Sequence, residues 1–223
     1  MTIAEVMLIT LGSQGAVLDT NKFYLNFDTG AVLQQDANFE EFAPTIAYIY
    51  RGKITFNPGI RDDFLLGYNL NDSWSTELET GVIWNSVDTI TASSFSGNTS
   101  IDLYQIPILV NVVYRVPLTA RLNACVGLGA GGVFGVWDSE TTGLFGGNIR
   151  NTDLDFKFGY QAEAGLKYSL TKQITVGVAY KFFGSLDQGW SLDLSQPPVR
   201  NDAIFTINGN YTHAIMATMT WSF

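Results

Sequence analysis

The residues of this chain that could do chemistry are few, and their spacing favours pairing over catalysis. Among 223 residues there is one histidine, His213, and one cysteine, Cys125. A zinc site therefore lacks a second imidazole, and a disulfide lacks a second thiol. Cys125 stands beside small residues and reads as inert packing, while His213 reads as an interfacial residue at the end of the last strand. Asp187 and Asp193 do not form a calcium loop, and no glycine run matches a phosphate-binding motif. What remains is a matched set of charges. The acids Asp28, Asp63, Glu77, Glu79, Asp155 and Glu163 face the bases Arg61, Arg115, Arg121, Lys157, Lys167 and Lys181. Such a set can pass protons or ions, or its members can neutralise one another as ion pairs.

The elements that must position these charges are strands, because apolar residues recur at every second position. Ile215, Ala217, Met219, Trp221 and Phe223 alternate with Ala214, Met216, Thr218, Thr220 and Ser222. The same pattern runs through eight segments, roughly 22–33, 52–70, 74–85, 101–116, 119–136, 155–168, 173–182 and 212–223. Within the fifth, Gly131-Gly132 marks a bend or bulge. Composition agrees with one aromatic-rich domain: 46% of residues are hydrophobic, 13% aromatic and only 15% charged, with a net charge of −9. That balance excludes a disordered acidic tail, a basic nucleic-acid binder and a disulfide scaffold. The longest uncharged apolar run, residues 122–137, carries five glycines and is too short for a transmembrane helix.

Connection lengths and the two strand faces decide between a soluble and a membrane barrel. Long segments (34–51, 86–100, 137–154, 184–211) alternate with short turns (71–73, 117–118, 170–172), as in outer-membrane barrels. Aromatics on the apolar face gather at both strand ends, Phe23, Tyr68, Trp74, Tyr114, Tyr168, Trp221 and Phe223 at one and Phe56, Trp84, Tyr104, Phe134, Phe156 and Phe182 at the other. All twelve charges fall on the opposite, polar parity. A lipocalin-type barrel has an apolar interior and no use for lumenal Arg and Glu. The expected fold is thus all-β, a closed antiparallel eight-stranded up-and-down transmembrane β-barrel over residues 22–223, preceded by a periplasmic segment at 1–21. The lumenal acids and bases cancel, so the excess of −9 belongs to the terminus, turns, loops and Asp62. Asp62 shares parity with Ile60 and Phe64 and is predicted to face lipid.

These features resemble the eight-stranded outer-membrane β-barrels of Gram-negative bacteria, the OmpA/OmpX-type small barrels and the broader outer-membrane β-barrel domain family. The resemblance rests on Trp221-Ser222-Phe223 closing the Ile215–Ala217–Met219 alternation, on Pro58-Gly59-Ile60-Arg61 with Leu66-Gly67-Tyr68, and on Glu77-Leu78-Glu79-Thr80-Gly81. It covers about residues 22–223. It implies a bacterial outer-membrane location with short turns periplasmic and long loops extracellular. The implied partners are outer-membrane lipids and the barrel-assembly machinery, which would read Ile215, Ala217, Met219, Trp221 and Phe223. It further implies a monomer with no cofactor and no nucleic acid.

Family members include passive spanning proteins, adhesins, small-solute conduits and lipid A-modifying enzymes. The deacylase type needs a Ser two positions from its His, to be activated as nucleophile. Here Ala214 and Ile215 follow His213, so a non-enzymatic structural or surface role is expected. A narrow conduit and a lipid A-modifying enzyme are the alternatives. Eight strands leave an interior just wide enough for side chains to fill, which predicts an ion-pair plug involving Glu77, Glu79 and Glu163. An unknown extracellular ligand would bind at the long loops, read here as solvated, acidic segments. Met1 to Leu11 has no basic residue and so lacks the start of a signal peptide.

Overall fold

The computed structural model describes residues 22–43, 48–92, 99–144, 147–193 and 202–223. The segment 1–21, read above as periplasmic, lies outside the described residues. Twelve strands are formed among those described: β1 (Phe23–Gln34), β2 (Ala37–Ala43), β3 (Tyr48–Phe56), β4 (Gly59–Asn69), β5 (Trp74–Ala92), β6 (Thr99–Pro117), β7 (Leu122–Leu144), β8 (Gly147–Ser169), β9 (Ile174–Ser185), β10 (Gln188–Asp193), β11 (Asp202–Asn208) and β12 (Asn210–Ser222).

Eight of them close a barrel. β1 pairs with β4, pairing continues through β5, β6, β7, β8 and β9 to β12, and β12 returns to β1, every contact antiparallel. Closure leaves no free sheet edge at this level, so all backbone groups of the wall can be satisfied inside hydrocarbon. The outward residues form an apolar coat in which Phe64, Val110, Leu128, Val178 and Ile215 are all exposed. Polar and charged residues line the inside, as the alternation requires. Aromatic pairs mark both ends: Phe23–Tyr68 and Trp74–Tyr114 lie near the short turns, and Phe134–Phe156 lies towards the long connections.

The long connections depart from the sequence reading. β5 and β6 have 19 residues each and β7 and β8 have 23, whereas a tilted strand crosses a membrane in roughly 9–11. Above the membrane barrel, β3 pairs with the far half of β5, β2 with β3, β11 with β2 and β10 with β11. Segments 34–51 and 184–211, read as solvated loops, are therefore largely strands of an upper storey. β10 reaches β8 across the gap, where Gly189 N donates to Asp155 Oδ2 at 2.8 Å.

The stretch 52–70, read as one strand, is two. It breaks at Asn57-Pro58 between β3 and β4. Proline has no N–H to donate to a ladder, and the interruption shifts the phase: Ile54 and Phe56 turn into the upper storey, while Ile60 and Phe64 face outward. Phe56 thus leaves the interfacial girdle to which the sequence assigned it. The Gly131-Gly132 bulge is also absent, since the β6–β7 and β7–β8 registers run unbroken through both residues. A Cβ on Gly132 would strike the ring of Phe156, so this glycine seats an aromatic on the outer wall.

Candidate functional site: a filled and layered lumen

The interior is stacked in layers that can be read along single strands. On β6, Asn111 belongs to a charged layer, Leu109 to an apolar one, Gln105 to an amide belt, and Leu103 and Ile101 to a second apolar core. β1 repeats the first three steps with Asp28, Val32 and Gln34, and β5 does so with Glu79, Ile83 and Asn85.

Glu79 is the hub of the charged layer. Its Oε1 accepts from Arg61 Nη2 at 2.8 Å and Lys181 Nζ at 3.2 Å, and its Oε2 accepts from Asn111 Nδ2 and Gln161 Nε2, both at 2.6 Å. Arg61 Nε donates to both oxygens of Asp63 at 3.0 and 2.8 Å, and Nη2 also donates to Gln161 Oε1 at 2.7 Å. Lys181 Nζ meets Asp63 Oδ2 and Asp28 Oδ2, each at 2.8 Å. Asp28 takes a further bond from Asn26, which in turn accepts from Thr220. Arg61, Glu79 and Lys181 are each 0% exposed. Charges so far from water persist only when paired and hydrogen-bonded, and here three carboxylates from β1, β4 and β5 surround two cations from β4 and β9.

Space for these long side chains comes from the opposite wall. A Cβ on Gly129 would collide with Asn111 Oδ1, and one on Gly127 would meet the Glu163 side chain at 2.7 Å. Gly129 therefore makes room for a member of the network, and Gly127 makes room for the lumenal Glu163 nearer the short turns. Above it, Val32, Ile83, Leu109, Val133, Ala179, Phe183, Ala214 and Met216 form an apolar layer, with the Arg61 guanidinium 5.8 Å from the Phe183 ring centre. Next comes the amide belt, in which Gln105 donates to Gln34, Gln34 to Asn210 and Asn210 to Gln188. The top layer holds Ala37, Phe39, Ile54, Ile101, Leu103, Trp137, Trp190 and Ile207. There the Trp137 and Trp190 rings stand 5.3 Å apart, and Trp190 Nε1 donates to Gly135 O at 2.9 Å.

The predicted charge set is divided by this architecture. Asp28, Arg61, Asp63, Glu79 and Lys181 are brought together. Glu77 lies one layer nearer the short turns, where Tyr24 donates to it at 2.6 Å. Arg115 sits at that mouth, where its Nη2 donates to Asn69 and its guanidinium lies over the Tyr24 ring. Glu163 and Lys167 line the same lower region, opposite Gly127 and Asn123 of β7, but form no ion pair among the described residues. Two assignments are corrected. Arg121 is exposed in the turn before β7, because that strand starts at Leu122, three residues later than the alternation suggested. Lys157 pairs with Asp155 at 3.1 Å with its side chain 38% exposed, since β8 has by then risen above the charged layer. Sequence reasoning missed Asn26, Asn111 and Gln161, whose lumenal parity was readable but whose partners depend on register. Cys125 is buried on the lumenal side.

On the outer face, Asp62 points towards lipid as predicted, and the β4–β5 register contains no bulge there. Its Oδ1 accepts from Thr29 at 2.6 Å, and it lies two residues from Ile60, the register partner of Trp84. A carboxylate close to an interfacial aromatic costs far less than one at mid-bilayer. Ile215, Ala217, Met219, Trp221 and Phe223 also project outward. Among the described residues no group of three or more His, Cys, Asp or Glu could hold a metal ion.

A closed wall with an apolar coat, a charged interior and aromatic ends is the architecture of one group of proteins, and the sequence match agrees. The outer membrane protein beta-barrel domain model matches residues 8–215. The chain belongs to this outer-membrane β-barrel family. The outer membrane protease OmpT from Escherichia coli is 11% identical with a TM-score of 0.57, over 94% of this chain and 99% of that one. Neisserial surface protein A is 14% identical with a TM-score of 0.46, over 91% and 97%. The outer membrane protein AlkL, solved in lipid bilayers, is 12% identical with a TM-score of 0.48, over 95% of each chain. At such identities the likeness is one of fold. No curated protein matches the sequence. Family membership places the protein in the bacterial outer membrane.

Proposed function

We propose that this protein is a closed, non-enzymatic outer-membrane barrel that presents a preformed recognition module at the cell surface. The observation that carries the reading is the lumen, filled from the charged layer through two apolar layers and an amide belt, with Arg61, Glu79, Lys181, Phe183 and Trp190 at most 1% exposed. A wall filled in this way supports a structure and not a wide pore. The upper storey has its own hydrophobic core, so it holds a fixed shape without a partner. In this reading the long-strand end is extracellular and the short turns are periplasmic. Asp36, Glu40 and Asp88 lie on that end, where Lys53 and Arg51 pair with Asp36 and Glu40.

Reconstitution in planar bilayers tests the closed lumen: no stable large-conductance openings are expected, and regular openings in the unmodified protein overturn the reading. Orientation is tested on intact cells with a membrane-impermeant maleimide, which should label Asp88→Cys and spare Asp72→Cys. Mass spectrometry of lipid A with and without expression should show no change; a new lipid A species would make the protein an enzyme.

A further inference from the structure

The chain's one histidine lies on the outer wall within a polar and aromatic cluster that the closed barrel does not require. His213 of β12 has Nδ1 2.6 Å from the Tyr180 hydroxyl and Nε2 2.6 Å from the Gln35 amide nitrogen. Tyr180 is contributed by β9, and Gln35 directly follows β1. The Phe182 ring stands 5.3 Å from the imidazole and stacks on Tyr211 at 6.1 Å. Tyr160 extends the group from β8: its ring lies over Gly184, where a Cβ would meet it at 2.8 Å. Leu33, the register partner of His213, and Ile215, that of Tyr180, flank the cluster, Val178 lies next towards the short turns, and all three are exposed and apolar.

Protons fix what this surface offers. A neutral imidazole donates from one nitrogen and accepts at the other. With the Gln35 amide N–H donating to Nε2, the Nδ1 proton must go to the Tyr180 oxygen. The Tyr180 O–H is then free to donate outward, and Gln35 Oε1 is free to accept. Flat rings with one donor and one acceptor above an apolar strip suit a ligand whose head has hydroxyls, which both donate and accept, and whose tail is hydrocarbon. A phosphate only accepts. It would find an opposing carbonyl oxygen, and the cluster contains no lysine or arginine with which to bind it.

We infer that the Gln35–His213–Tyr180 cluster, with Phe182, Tyr211 and Tyr160, is a binding site on the barrel's outer wall for the sugar head of an outer-leaflet glycolipid. The site uses the orientation proposed above, because it lies at the long-strand end of the apolar coat. Aromatic residues with a polar tip are suited to that depth.

The test uses the full chain in nanodiscs of phosphatidylethanolamine doped with bacterial lipopolysaccharide, with retained glycolipid counted by native mass spectrometry. The unmodified protein should retain glycolipid, and the Gln35→Leu/Tyr180→Phe double variant should retain at least fivefold less. Both changes preserve the packing bulk, and the heat-modifiable gel shift reports that the barrel is folded. Dephosphorylated glycolipid should be retained as well as the native form. A variant that retains glycolipid within fivefold of the unmodified protein overturns the site, and a fivefold loss on dephosphorylation assigns it to phosphate instead. Both leaflets of the disc carry glycolipid, so this result does not depend on the orientation that cell labelling decides separately.

Discussion

Asp63 on β4 and Lys181 on β9, 118 positions apart in sequence, meet at 2.8 Å across the lumen. That contact makes the charged layer a device that holds opposite walls of the barrel at a set separation. Neither wall is neutralised by its own strands alone, because Arg61 and Lys181 share Asp63 and Glu79 between them. Once the layer is closed, an apolar layer seals it from above.

The hub position should be the most sensitive. Glu79→Ala removes the acceptor of four side-chain donors and leaves Arg61, Lys181, Asn111 and Gln161 each short of a partner in a dry site. Breaking a buried pair from one side costs about 3–5 kcal/mol. Glu163→Ala, on a residue with no ion pair among those described, should cost clearly less, about 1 kcal/mol, as a typical single substitution does. Urea unfolding of both variants in lipid vesicles measures the difference. Equal losses would mean that the layer does not act through Glu79.

The upper storey should fail separately from the membrane barrel. Trp190→Ala empties the space between Trp137 and the walls of β6 and β7 and removes the bond to Gly135 O. Truncating a buried Trp or Phe costs about 3–5 kcal/mol, which is enough to open a module held by one small core. Limited proteolysis should then cut the long connections, while the gel shift of the folded barrel remains. If the whole barrel unfolds with the variant, the two layers form one cooperative unit.

Alternation made the eight membrane strands legible because every one of them has lipid on one side and side chains on the other. It failed in the upper storey for a physical reason. Ala37 and Phe39 alternate with Asn38 and Glu40 over too few residues to stand out, and the Pro58 phase shift placed Ile54 on the wrong face. The lumenal charges were readable as a set by parity. Their pairing was not, since Lys181 reaches Asp63 and Asp28 only once closure has brought β9, β12, β1 and β4 side by side. The same closure unites Gln35, His213 and Tyr180. Their spacing in the chain carries no signal, although the outward parity of His213 and Tyr180 does.

Asp62 offers a test of where the hydrocarbon ends. Near an interface a lipid-facing charge costs about 0–1 kcal/mol, and at the midplane a few kcal/mol. Asp62→Val, which loses the bond from Thr29 but removes the charge, should therefore stabilise the barrel in vesicles by no more than about 1 kcal/mol. A gain of several kcal/mol by the same unfolding measurement would put Asp62 deep in the bilayer, with the Trp84 girdle higher than the register suggests.

The chain end separates two roles that one residue could have. Phe223 N donates to Phe23 O at 3.3 Å, next to the β1–β12 seam, and its side chain is exposed. A backbone bond at the edge of a long ladder contributes only about 0.5–1.5 kcal/mol, so deleting Phe223 should hardly change refolding of purified protein into vesicles. If the outward Ile215, Ala217, Met219, Trp221 and Phe223 form the signal that assembly machinery reads, the same deletion should sharply reduce folded barrel in cells. Comparing heat-modifiable protein from cell membranes with the yield of unaided refolding distinguishes the two. An equal loss in both would assign Phe223 to closure of the seam, and no loss in cells would remove it from the assembly signal.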